Sequence, residues 1–541
     1  MVKLLADYVN NPKQFEDVGI TVPKFDQEKA SQAGRQQPVW VHFGGGNLFR
    51  CFHAAIAQRL LNTGALKAGV IVAETYDAAV INQMYQPYHN RFLRVVMTNE
   101  QPYDRELVAS VADSLALTPT DKESWNRLKA AFTQASLQLV TFSITEKGYG
   151  LTDLAGQLIP AAKADISQGP GHPQTNMGIL AALLYARYQN GQAPLALVST
   201  DNFSQNGQKL EDGMLTIAQG WLQQQLVPQE FVAYLQDRTK ITFPWSMIDR
   251  ITPNPAESVA QYLAAHDFED TQILHTAKRT NIAPFGNTEA AHYLVLEDDF
   301  PNGRPDLTQA GVILTDRATV NLADQMKVTA CLNPLHTALA IFGCLLGYQS
   351  IAAEVADQDL LALIKHLGYQ EDLPAVVSPK IIDPKQFIDE LITKRLPNPN
   401  IPDTPQRIAT DTSQKMAVRY GVTLTHYAKA DPDELAKLTA IPLIIAGWCR
   451  YLMGLDDHGE TVTLSPDPLL ADLQPLLAPI QLGTTDVDVV HNSLQPILSN
   501  PAFFGHDLYA LGLGETIEKN FMAMISGPGA VRETLHAAIA L

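Results

Sequence analysis

The sequence predicts an α/β plus α fold: a Rossmann-like dinucleotide-binding domain over 1–286, followed by a mainly α-helical substrate and catalytic domain over 287–541. Three observations predict it. Residues 38–74 read as strand, glycine turn, helix, strand. Two later apolar runs, 137–145 and 194–202, stop abruptly at polar residues. Beyond 305 helical periodicity replaces the strand patterns. At 541 residues the chain also exceeds one ordinary domain of ~150 residues.

The first element, "PVWVHF", is a short apolar run that ends in glycines. The helix after it places Phe49, Phe52, Ile56 and Leu60 at helical spacing, with Gly64 as its C-cap. "GVIVAE" then reads as a second buried strand, and "LQLVTFSIT" and "PLALVSTDN" as a third and fourth. In a parallel sheet the C-terminal ends of the strands face the ligand crevice, so Thr145, Glu146, Asp201 and Asn202 fall where a site is expected. Between 280 and 305 turn formers dominate, which places the domain boundary near 286. Helices are expected over 325–347, 357–367, 386–395, 433–453 and 516–540, and much loop over the proline-rich 374–412.

Composition narrows the function. A hydrophobic share of 46% supports a large core, and 39 basic against 57 acidic residues give a net charge of −18. Such a surface repels nucleic acid and anionic membranes over long range, yet a local pair of cations in a cleft still binds a small anion. The four cysteines form no CxxC pair, which suits reduced, buried thiols in a cytoplasmic protein. The N-terminus has no apolar signal-like core, and "IPLIIAGWC" is half the length of a membrane span. No HExxH or paired-cysteine pattern points to a metal.

"FGGGNLFR" supplies Gly44, Gly45, Gly46 and Asn47 between strand and helix. Glycines there allow a tight turn and close approach of a pyrophosphate to the helix N-terminus. Phe49 stands where the full fingerprint has a third glycine, so the match is partial. Glu74 ends the next strand and is placed to bind the adenosine ribose and repel a 2′-phosphate, which favours NAD over NADP. The alternative is an ordinary strand–helix turn.

Farther on, "DQMKVTACLNPLH" gathers Lys327, Asn333 and His336. Pro334 favours the first turn of a helix, so Asn333 is expected as its N-cap and Lys327 in the segment before it. One reading is a capped helix with a surface lysine. The sharper one is chemical: a lysine sheltered from water exchanges the hydroxyl proton of a polyol, Asn333 holds the alkoxide oxygen, and His336 binds the adjacent hydroxyl.

Several separated motifs now carry a resemblance. Phe49–Arg50 after the glycines, "ITEKGY" (144–149), "STDNFSQNG" (199–207), "FPWSMIDRITP" (243–253) and "LEDDFPNGRP" (296–305) resemble, in the same order, motifs of the long-chain polyol dehydrogenase family. That family contains mannitol 2-dehydrogenases and the fructuronate and tagaturonate reductases. The resemblance implies Lys327 as general acid/base, Asn333 and Asn202 as oxyanion donors, and Asp324 as a proton relay. It implies Asp249, His336, Arg407 and Lys415 as substrate contacts, NAD as cofactor and no metal. One departure is visible: Lys327 lies six residues before Asn333, against five in the family, so either the segment bulges by one residue or the base sits differently. The expected activity is NADH-dependent reduction of D-fructuronate to D-mannonate, because Arg407 and Lys415 suit a carboxylate. The alternatives are mannitol 2-dehydrogenase, tagaturonate reductase and, from another class, a non-catalytic dinucleotide sensor. The sequence leaves the oligomeric state open.

Overall fold

A computed structural model describes residues 1–99, 102–118, 121–153, 156–171, 173–430 and 432–539. The chain divides into two compact units, Met1–Asn321 and Leu322–Leu541. The expected boundary near 286 is thus too early. The turn-rich stretch beyond it contains strands Phe285–Glu289 and Tyr293–Glu297, which pair with Phe92–Met97 and Ser246–Asp249. Both partners lie far back in the first unit, and local pattern carries no trace of such long-range pairing.

The first unit is built on six parallel strands: β1 (Trp40–Phe43), β2 (Val70–Glu74), β3 (Val111–Ala116), β4 (Leu139–Phe142), β5 (Leu195–Ser199) and β6 (Ile241–Thr242). Their spatial order is β3-β2-β1-β4-β5-β6, the doubly wound dinucleotide-binding arrangement. Every residue of β1, β2, β4 and β5 is buried, as expected when helices cover both faces. Alternation divides them between two cores. Val41, Phe43, Val140 and Phe142 face one, with Met177, Leu210 and Trp221; Trp40, Val70, Val72 and Val198 face the other, with Phe52, Ile56 and Leu60. Register aligns Phe43 with Ala73 and Phe142, and Phe142 with Ser199. The segments after β1, β2, β4 and β5 therefore emerge along one edge. Helix α1 (Ala54–Thr63) ends at left-handed Gly64, the C-cap the sequence indicates.

The second unit is helical. Helix α2 (Arg317–Met326) runs into a π-helical turn, Lys327–Cys331, and then into α3 (Asn333–Leu345). The division between units falls inside α2. Arg317–Leu345 is long and apolar enough to cross a membrane, but 78% of its apolar window is buried in the fold, as in a core helix. The expected 433–453 helix is broken into Pro432–Leu435 and α4 (Ala440–Leu452). The break is stabilised from a distance: Glu371 accepts the N–H groups of Thr439, Ala440 and Ile441 at 2.6–2.8 Å, and so caps α4. The 516–540 pattern likewise divides into Gly514–Met524 and Ala530–Ile539, and its last residue lies outside the described ones.

Candidate active site

At the strand edge of the first unit, the turn after β1 needs glycine for a stated reason. Gly44 has φ 103°, and a Cβ on it would lie 2.2 Å from the Ser143 carbonyl oxygen. Gly46 has nothing within 4 Å of its missing Cβ, so the backbone there is open to a ligand. That open glycine, just before a helix N-terminus, fits a dinucleotide pyrophosphate. Gly45 N–H donates to Glu74 Oε2 at 2.7 Å, and Tyr85 O–H donates to the Gly45 carbonyl at 2.7 Å. The other Glu74 oxygen accepts from Tyr76 N–H (2.7 Å) and Asp77 N–H (3.1 Å). Glu74 therefore braces the turn, a role that spacing alone did not indicate.

Phe49, Arg50, Asn47 and Glu146, candidates for the cofactor by their place near the turn and strand ends, are each held by other groups of the protein. Phe49 is fully buried and stacks on His42 at 4.5 Å; it fills the core under the turn and shows no face to a ligand. Arg50 is buried too, donating to Ala283 O and Asn47 Oδ1 (2.6 Å), while Asn47 Nδ2 donates to Pro253 O at 3.3 Å. These two side chains tie the turn to neighbouring loops. Glu146 is exposed, and its carboxylate pairs with Lys209 at 2.6 Å.

After β4, Thr145 adopts φ 62°, a strained conformation for a β-branched residue. Buried Asp201 holds it there by accepting Ile144 N–H and Thr145 N–H, each at 2.9 Å, and Tyr149 O–H at 2.7 Å. Burial raises the Asp201 pKa. Asn202 follows at the exposed edge, and Asp249 ends a buried strand elsewhere in the same unit.

In the second unit, Lys327 is 1% exposed. Its Nζ lies 3.6 Å from Asp324 Oδ1, one helical turn back, and Asp324 is buried as well. The lysine is thus no surface residue, and it does not precede a helix: it opens the π turn closed by Leu332 N–H donating to Lys327 O at 3.1 Å. A π turn holds one residue more than an α turn, which accommodates the six-residue spacing to Asn333 as a bulge. Asn333 is the first residue of α3, with Leu332 at the N-cap position, and among the described residues nothing bonds its side-chain amide. The expected N-cap role is corrected, and the amide is left for other use. His336 lies one turn on and is partly accessible. Burial, reinforced by nearby Arg395, Arg407 and Arg419, lowers its pKa to about 4. Its imidazole is therefore neutral near pH 7, able to donate from one ring nitrogen and accept at the other.

Arg407 is paired at both ends with buried Asp403: Nε to Oδ1 and Nη2 to Oδ2, each 2.7 Å. Lys415 Nζ donates to Thr410 O at 2.5 Å, and burial with Arg419 and Arg407 nearby lowers its pKa. Arg419 belongs to no motif of the sequence, although its spacing four residues after Lys415 is a usable signal. Arg419 Nη1 donates to Thr337 Oγ1, which donates to the Asn333 carbonyl at 2.9 Å. Among the described residues no group of three or more His, Cys, Asp or Glu is arranged to hold a metal.

Comparison with known proteins decides the family. The mannitol dehydrogenase Rossmann domain matches residues 39–308, and the mannitol dehydrogenase C-terminal domain matches 322–515, starting where the second unit starts. D-mannonate oxidoreductase of Thermotoga maritima is 47% identical over 540 residues, 99% of each chain. The chain belongs to the mannitol dehydrogenase family. It is a nicotinamide-dinucleotide-dependent oxidoreductase with a Rossmann domain followed by that family's helical domain. Two solved structures share the fold at 23% identity. A substrate-free D-sorbitol dehydrogenase has a TM-score of 0.78, covering 96% of this chain and 97% of its own. Pseudomonas fluorescens mannitol 2-dehydrogenase, in a ternary complex with NAD and D-mannitol, has a TM-score of 0.72, covering 99% of each.

Proposed function

We propose that this protein interconverts D-fructuronate and D-mannonate, using NAD and Lys327 as its proton carrier. The observation that carries the chemistry is the sequestered amine: Lys327 is shut away from water beside Asp324, one π turn before an uncommitted asparagine amide and a neutral histidine. In reduction, Lys327 Nζ gives a proton to the carbonyl oxygen, and Asp324 relays its replacement. The Asn333 amide donates to the same oxygen as negative charge develops on it. Neutral His336 orients an adjacent hydroxyl by donating or accepting one hydrogen bond. Bound NADH supplies the hydride to the carbonyl carbon. Asn202 and Asp249 are assigned to substrate by family resemblance, as are Arg407 and Lys415.

The sugar-acid substrate is supported by the 47% identity with a D-mannonate oxidoreductase across both full chains. NAD over NADP is supported by Glu74, whose carboxylate at the end of β2 opposes a 2′-phosphate. A substrate panel followed by NADH absorbance, with and without a chelator, tests the reading. Fructuronate is expected to turn over at least tenfold more efficiently than fructose, and chelation to leave the rate unchanged. Turnover confined to fructose would replace the proposal with mannitol 2-dehydrogenase.

A further inference from the structure

The second unit holds more positive charge around His336 than the chemistry above uses. Arg407 is neutralised by its two-pronged pairing with Asp403. Arg419 is different. It is partly accessible, and among the described residues no carboxylate pairs with it; its recorded bond is to the neutral hydroxyl of Thr337. Thr337 in turn donates to the Asn333 carbonyl, and Tyr420, next in the chain, donates to the Pro334 carbonyl at 2.8 Å. The guanidinium is thereby fixed to the first turn of the helix that presents Asn333 and His336. Its charge reaches both His336 and Lys415, whose pKa values it helps to lower. A half-buried guanidinium without a counter-ion is costly to keep in a chain of net charge −18 with 57 acidic residues. A planar fork with open donors suits a carboxylate better than it suits a neutral hydroxyl.

We infer that Arg419 is the residue that receives the substrate carboxylate and so sets the preference for sugar acids over neutral ketoses and polyols. The inference rests on the sugar-acid reading above and names the group that enforces it. Arg407, paired at Nε and Nη2 with Asp403, is then a secondary contact rather than the carboxylate's main partner.

The test compares wild type with Arg419→Met and Arg419→Lys on fructuronate and on fructose, with NADH affinity and thermal unfolding measured for each. Loss of one charge-assisted contact corresponds to roughly 10–100-fold. The fructuronate-to-fructose ratio of kcat/KM is expected to fall by that factor in Arg419→Met, chiefly through KM for fructuronate, with partial recovery in Arg419→Lys. NADH affinity is expected to stay within twofold. If wild type turns over fructuronate and the ratio in both variants stays within threefold of it, Arg419 is not the carboxylate anchor. A parallel loss for both sugars with an unchanged ratio overturns it equally, since that marks a structural role. A wild type inactive on fructuronate instead defeats the proposed substrate itself, whatever Arg419 does.

Discussion

Replacing Glu74 by glutamine separates a brace from a simple selectivity filter. The carboxylate accepts three backbone N–H groups, from Gly45, Tyr76 and Asp77, at 2.7–3.1 Å. Glutamine has one acceptor oxygen, so its amide N–H groups must face at least one of those donors. Losing charge assistance costs about 1.5–3 kcal/mol for a bond of this kind, and a buried donor left unpaired costs a similar amount. These effects overlap, and a net loss of about 2–4 kcal/mol follows. For a unit of 321 residues, an unfolding entropy of about 2.1 cal/mol/K per residue makes each kcal/mol worth about 1.5 °C. The Tm of the first unit should therefore fall by about 3–6 °C. The amide of Gly45 is released with the brace, so NADH should bind at least tenfold more weakly. NADPH should lose less, because the repelling charge goes too. Fluorescence titration with both dinucleotides and thermal unfolding read these quantities. A Tm within 1 °C of wild type, with NADH affinity unchanged, would refute the bracing role.

Two further predictions concern the second unit. Glu371→Ala strips the cap from three N–H groups at the start of α4 and should cost about 3–5 kcal/mol in urea unfolding; a loss below 1 kcal/mol would show that water replaces the carboxylate. Glu354 is fully buried with neither carboxylate oxygen hydrogen-bonded, and desolvation, with Asp403 nearby, raises its pKa to about 9. The folded chain thus keeps a proton that the unfolded chain releases above about pH 4.3, so stability falls as pH rises through that window. Between pH 5.5 and 8.5 wild type should lose about 4 kcal/mol relative to Glu354→Gln, and a stability gap independent of pH would contradict the assignment.

What the sequence disclosed depended on how local the cause was. The buried strands Trp40–Phe43, Val70–Glu74, Leu139–Phe142 and Leu195–Ser199 are short apolar runs with abrupt polar ends, a pattern legible in the chain itself. The four-stranded sheet formed by Ile20–Thr21, Asp104–Val108, Phe92–Met97 and Phe285–Glu289 is not. Phe92–Met97 and Asp104–Val108 form a local hairpin, but its two outer strands join across great sequence separations, and the last of them sits in a turn-rich stretch that reads as a linker. Pro334 marked the start of α3 correctly, but a π turn leaves no signature of its own, so the pattern over 325–347 showed neither the turn at Lys327–Cys331 nor the helix reaching back to Arg317. At the site, residue type and motif identified Lys327, Asp324, Asn333 and His336 as candidates, and the fold draws His336 into one electrostatic neighbourhood with Arg407 and Arg419. The spacing of Phe49 with Phe52, Ile56 and Leu60 marked an inward apolar face, but nothing in the motif revealed that the charged Arg50 turns inward as well. Nor could it reveal that Asp201 pins the strained Thr145, since that depends on two strand ends lying side by side.

The central claim is that the enclosed amine of Lys327 trades the proton. Its most direct measurement is single-turnover oxidation of bound NADH by fructuronate in Lys327→Met. The rate should fall by at least 10³-fold, in line with loss of a general acid and its charge, while NADH affinity and Tm remain close to wild type. A variant that folds, binds NADH and still transfers hydride within tenfold of the wild-type rate would contradict it.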